Sequence, residues 1–67
     1  MSVAKVTEIT ASSTKSFEDA LQAGIKRASK TLDNVTGAWI HDHEVSIQGG
    51  NITEYKIRMK VTFILND

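Results

Sequence analysis

The chain has 67 residues, with eight Lys and Arg balanced by eight Asp and Glu, no Cys and no Pro. That length holds one small domain spanning residues 1–67, because half of it could not bury a core of its own. The lack of cysteine excludes a disulfide framework, a thiolate zinc site and a cysteine nucleophile; the balanced charge argues against a general nucleic-acid binder, which needs surplus Lys and Arg. No apolar run approaches the roughly 20 residues of a membrane span, and no signal-peptide stretch is recognisable, so a soluble cytoplasmic protein is expected. A chain this small without disulfides gains most readily from oligomerisation.

Residues Val3 to Thr10 carry the β-branched Val3, Val6, Thr7, Ile9 and Thr10, which fit a pleated surface and predict a first strand. Ala11-Ser12-Ser13-Thr14-Lys15 reads as a small polar loop. A helix follows, with Phe17, Ala20, Leu21, Gly24, Ile25, Ala28 and Leu32 along one apolar stripe. Ser16 suits the N-cap, with Asp19 three residues on as its capping-box partner. Glu18 and Asp19 at the start and Lys26, Arg27 and Lys30 toward the end complement the helix dipole. Gly24 on the apolar stripe predicts close approach of the helix backbone to a sheet. Asp33-Asn34 ends the helix.

Val35 to Ile47 reads as a second strand, and Gln48-Gly49-Gly50-Asn51 as a tight reversal, so the third strand returns antiparallel. Thr53, Tyr55, Ile57, Met59, Val61, Phe63 and Leu65 alternate strictly with Glu54, Lys56, Arg58, Lys60 and Thr62, giving one buried and one solvated face. A strand from Ile52 to Leu65 spans roughly 45 Å at ~3.3 Å per residue. A helix of about 17 residues covers only some 25 Å at ~1.5 Å each. One helix cannot cap such a hairpin, so an uncovered end around Met59 to Leu65 or Ala38 to Ile40 is expected to meet another copy of the chain.

The strand-helix-strand-strand order resembles the dodecins over essentially the whole chain. The resemblance rests on Lys5-Val6-Thr7-Glu8-Ile9 with its Ser/Thr loop, Ser16-Phe17-Glu18-Asp19-Ala20 and Arg27-Ala28-Ser29-Lys30-Thr31-Leu32. It continues through Glu54-Tyr55 and Lys60-Val61-Thr62-Phe63. It implies an α+β fold of β-α-β-β order, a three-stranded antiparallel sheet wrapped around one helix. It also implies a hollow homododecamer, a bound flavin (riboflavin, FMN or FAD) and no catalysis. In flavin-binding dodecins a Trp early in the second strand stacks on the isoalloxazine ring; that position is Gly37 here. A Gln that hydrogen-bonds the ring edge falls on Lys56, and an acidic residue that contacts the ligand in some members falls on Asp42. The basic residues that bind coenzyme A in some bacterial members fall on Glu44 and Ile64, so that activity is not expected.

Trp39 stands two residues after Gly37 and so shares its face. It is either a displaced stacking platform or an aromatic packed at a subunit contact. His41 and His43, at i and i+2 on a strand, share a face and could chelate zinc, nickel or copper with ligands from a neighbouring subunit. Asp42 and Glu44 face the other way, and across subunits they could form an oxygen site for calcium. The stripe Glu54, Lys56, Arg58, Lys60 reads as a solvated face with cross-strand pairs to Glu44 and Asp42. No nucleophile elbow, phosphate-cradling loop or thiol is present, so no enzyme is expected. The expected function is sequestration or storage of a flavin or related planar ligand at Gly37, Trp39, Asp42 and Lys56. The alternative is a dodecameric assembly without flavin, binding calcium or zinc through His41, His43, Asp42 or Glu44.

Overall fold

The computed structural model describes residues 3–65. Its elements are strand β1 (Ala4–Ser13), helix α1 (Phe17–Thr31), strand β2 (Val35–Gln48) and strand β3 (Asn51–Ile64). The sheet order is β1-β3-β2 and both pairings are antiparallel, so the most regularly alternating strand lies in the middle. The α+β architecture and β-α-β-β order are as expected. No described helix is long and apolar enough to cross a membrane.

β1 runs three residues further than its composition predicts. Ala11, Ser12 and Ser13 pair with Ile57, Lys56 and Tyr55 rather than forming a loop. Small and polar side chains favour turns only where no ladder is on offer, and β3 supplies a ladder here. The extension matters to packing, because Ala11 sits beneath the helix. A Cβ added to Gly24 would lie 2.7 Å from Met59 Cε and 3.0 Å from Ala11 Cβ, so glycine and alanine together set how closely α1 approaches the sheet.

Ser16 caps α1 as expected: its hydroxyl accepts the Asp19 backbone N–H at 3.0 Å. The Asp19 carboxylate does not complete the capping box. It accepts instead from the Ser13 hydroxyl at 2.6 Å, tying the end of β1 to the first turn of the helix. At the other end Leu32 N–H donates to Ala28 O at 2.9 Å, and Asn34, at φ 60°, turns the chain into β2. Gly49 and Gly50, at φ 60° and 80°, make the β2–β3 reversal, the left-handed pair that a two-residue hairpin needs.

The helix packs on β1 and β3. Ala20, Gly24 and Ala28 face Ile57, Met59 and Val61, and Ile9, Ala11, Phe17, Leu21, Ile25 and Val35 close the cluster. The expected bare stretch from Met59 onward is therefore covered at its start: Met59 and Val61 have no exposed surface. Leu65 at the end of that stretch stays exposed, with Val3 and Val6 at the start of the chain, and so do β2 and the hairpin tip, with Trp39, Ile40, Ile47 and Ile52 all exposed. The reason is placement as well as length. The helix sits over the middle and the β1 edge, so β2 is left to one side and a groove of about 560 Å³ opens between Leu21, Ile25 and Ala38. The molecule extends 51 Å along its longest axis, while 15 helical residues span about 22 Å.

Candidate functional site

The face of the sheet turned away from α1 carries the charged alternate residues of β3, and its register with β2 decides which side chains meet there. Gly37 stands opposite Thr62, Trp39 opposite Lys60, Asp42 opposite Arg58 and Glu44 opposite Lys56. Because Ile57, Met59 and Val61 point into the core, their neighbours Lys56, Arg58, Lys60 and Thr62 point outward, and the β2 partners go with them.

Strict alternation would put Asp42 on the opposite face from Gly37 and Trp39. A register irregularity between Ile40 and Asp42 removes that conflict: two residues of β2, His41 and Asp42, occupy the space of one. Asp42 thereby joins Trp39 on the outer face. Gly37, Trp39, Asp42 and Lys56, singled out in the sequence, stand on one surface.

The same bulge separates the two histidines, which strict alternation puts on one face. His43 stands opposite the core residue Ile57, and its ring meets that of Phe17 edge-on at 4.7 Å between centroids. Tyr55 meets the other side of Phe17 at 5.1 Å. His41 Nε2 instead lies 3.9 Å from Asp42 Oδ2. His41, His43 and Glu44 therefore do not converge within one chain, and the described residues hold no cluster of three or more imidazoles and carboxylates suited to a metal ion.

Asp42 is engaged. Its two carboxylate oxygens accept from Arg58 Nη1 at 2.9 and 2.8 Å, the cross-strand pair expected from the charge stripe. The second expected pair does not form: Lys56 Nζ lies 3.8 Å from Glu54 Oε1 on its own strand, leaving Glu44 with no ion pair among the described residues. The Trp39 side is open. Its residue is 50% exposed, and a Cβ built on neighbouring Gly37 meets nothing within 4 Å. The outer face thus offers an exposed indole plane with free space on one flank, a lysine across from it and a neutralised carboxylate beyond. Lys60 as the partner of Trp39 was not singled out in the sequence. The alternation of β3 marks it as outward-facing, but its β2 partner depends on a register that residue types do not announce.

The sequence model of the Dodecin family matches residues 3–66. Among solved structures, a mutant of the Thermus thermophilus dodecin is similar at 28% identity and a TM-score of 0.94, with all of both chains covered. Dodecin from Streptomyces davaonensis is similar at 30% identity and a TM-score of 0.93, covering 98% of this chain and 97% of that one. A calcium-chelating antigen of Mycobacterium tuberculosis, calcium dodecin, is similar at 28% identity and a TM-score of 0.83, covering 96% and 91%. No curated protein sequence matches the chain.

Proposed function

Because the chain belongs to the dodecin family, we propose that it is a non-enzymatic cytoplasmic storage protein that sequesters a flavin or a related planar ligand between subunits of a homododecamer. The observation that carries this reading is the common outer face of Gly37, Trp39, Asp42 and Lys56, which exists only because β2 bulges at His41. Where flavin-binding relatives resemble one another in stacking an indole at the Gly37 position, this chain offers Trp39 one strand repeat (~6.6 Å) along, with open space at Gly37 for the ring. Stacking of this kind contributes about 1–3 kcal/mol per ring. A single chain leaves half of such a ring in water, and a second copy closes it in. The bare β2 edge, with Ile40 exposed two residues from the groove at Ala38 and Ile47 exposed at the far end of the strand, is the surface such a copy would cover.

The test is titration of riboflavin or FMN with protein, beside light scattering. Quenched flavin emission at micromolar protein and a mass near 89 kDa, twelve times 7.4 kDa, are expected. Unquenched flavin rejects the ligand, and a mass near 7.4 kDa for folded protein rejects the assembly.

A second reading keeps the shell and replaces the flavin with metal ions, calcium or zinc, shared among His41, His43, Asp42 and Glu44 of several subunits. The similarity to calcium dodecin and the carboxylate of Glu44, which has no ion pair among the described residues, favour it. Calorimetric titration with calcium and with zinc decides: heat that saturates at a fixed ratio to subunits supports it, and no heat rejects it.

A further inference from the structure

Three cations stand in line on the outer face of β3. Lys56, Arg58 and Lys60 follow one another at about 6.6 Å, two residues at ~3.3 Å each. Two of them are engaged, Arg58 with both oxygens of Asp42 and Lys56 with Glu54. Lys60 is not: among the described residues it makes no ion pair, hydrogen bond or ring contact. Its register partners are Trp39 on β2 and Glu8 on β1, and neither holds it. Lys60 and Trp39 are direct cross-strand neighbours, whose Cβ atoms in such a pair lie about 5 Å apart. The nearest carboxylate along β2, Asp42, would repel an incoming anion, but Arg58 already neutralises it. Glu8 lies on the far side of Lys60 from Trp39, because β3 is the middle strand.

An exposed aromatic plane beside an unengaged cation is recognition chemistry for a flat ring that carries an anion on a short tether. We infer that the ligand taken at Trp39 is a planar aromatic ring bearing a phosphate monoester, its ring against the indole and its phosphate on Lys60. The inference rests on Trp39 as the stacking platform and goes past that reading by selecting the phosphorylated ligand over its neutral parent. A phosphate monoester carries about −1.5 to −2 charge at pH 7, and lysine meets it as a point charge. Flavin mononucleotide and a nucleoside monophosphate present the same chemistry.

Trp39 is the single tryptophan, so its emission reports on the site without a label. The experiment titrates the assembled protein with FMN, riboflavin, AMP and adenosine. In at least one pair the phosphorylated member binds about fivefold tighter or more, the size of one exposed charge pair. That advantage disappears in Lys60→Gln and near 1 M salt, where the screening length is about 3 Å. It survives in Lys60→Arg, which keeps the charge, and the affinity of the unphosphorylated member is the same in all three proteins. Equal affinity within both pairs, or a phosphate preference that persists in Lys60→Gln, overturns the inference. The flavin reading fails separately, when neither FMN nor riboflavin changes the emission whatever AMP does. No response to any of the four overturns both.

Discussion

The two sides of the helix are built differently. On the β1–β3 side, Ala20, Gly24 and Ala28 let α1 settle so closely on Ile57, Met59 and Val61 that none of these three is more than 1% exposed. On the β2 side the helix presents Leu21 and Ile25 to an open groove, and Ile47 at the far end of the strand is 65% exposed. The first seam determines whether one chain folds. The second leaves its apolar surface uncovered and contributes little to the folding of one chain. On the helix, small residues mark the seam that closes within the chain, and the large Leu21 and Ile25 mark the side left open.

The largest effect that can break this comparison comes from truncating the two sides in turn. Met59→Ala removes a fully buried side chain that touches the helix at Gly24, and it should cost about 2–5 kcal/mol. In so small a domain that is a large fraction of the total, and the urea midpoint should collapse. Ile47→Ala removes more exposed surface than buried surface and should cost less than about 1 kcal/mol of folding stability. Its effect should be read by light scattering, as a lower mass at low protein concentration. Equal losses of stability in the two variants would mean that the hairpin arm belongs to the core after all.

Gly37→Trp comes next, and it separates space from conformation. A Cβ there meets no atom within 4 Å, and Gly37 has no positive φ, so the substitution should change stability by less than about 0.5 kcal/mol, as at an ordinary surface site. It restores the indole at the position where flavin-binding relatives have one. With stacking at about 1–3 kcal/mol, riboflavin affinity should rise by about tenfold. Fluorescence titration of the variant beside the parent checks it. No gain would mean that the surface around Trp39 has been reshaped, so that a second plane has nothing to stack on.

Much of the fold was legible because its signals are local. The stripe from Phe17 to Leu32, the Ser16 cap, the Gly49-Gly50 turn and the alternation of β3 each depend on residues close in sequence, and each is found in place. Three features were not legible. β1 reaches Ser13 because β3 is there to pair with it, which Ala11, Ser12 and Ser13 do not disclose. Asp19 turns to Ser13 because the strand end is brought beside the helix start. The bulge at His41 is a mismatch between two strands, so no property of His41 alone predicts it. That last feature bears most on the site. Residue types drew attention to Gly37, Trp39, Asp42 and Lys56, which the fold sets on one face, while counting by twos put Asp42 on the opposite face and joined two histidines that the fold parts.

The smallest expected effect on binding sharpens the comparison most. Arg58→Gln breaks the outer-face ion pair in which Nη1 serves both Asp42 oxygens, between partners whose side chains are 40% and 44% exposed. Solvent screens such a pair, so its loss should cost less than about 1 kcal/mol and move the urea midpoint little. The site should respond in a different way. Without the guanidinium, Asp42 keeps its full negative charge next to Trp39, and the local field that Lys60 offers an anion is opposed. FMN affinity should therefore fall by about threefold to fivefold while riboflavin affinity holds, a difference the size of one exposed charge pair. A variant that loses stability as heavily as Met59→Ala would place the outer face within the folding seam. A variant that binds FMN and riboflavin as the parent does would mean that Asp42 and Arg58 act only on each other.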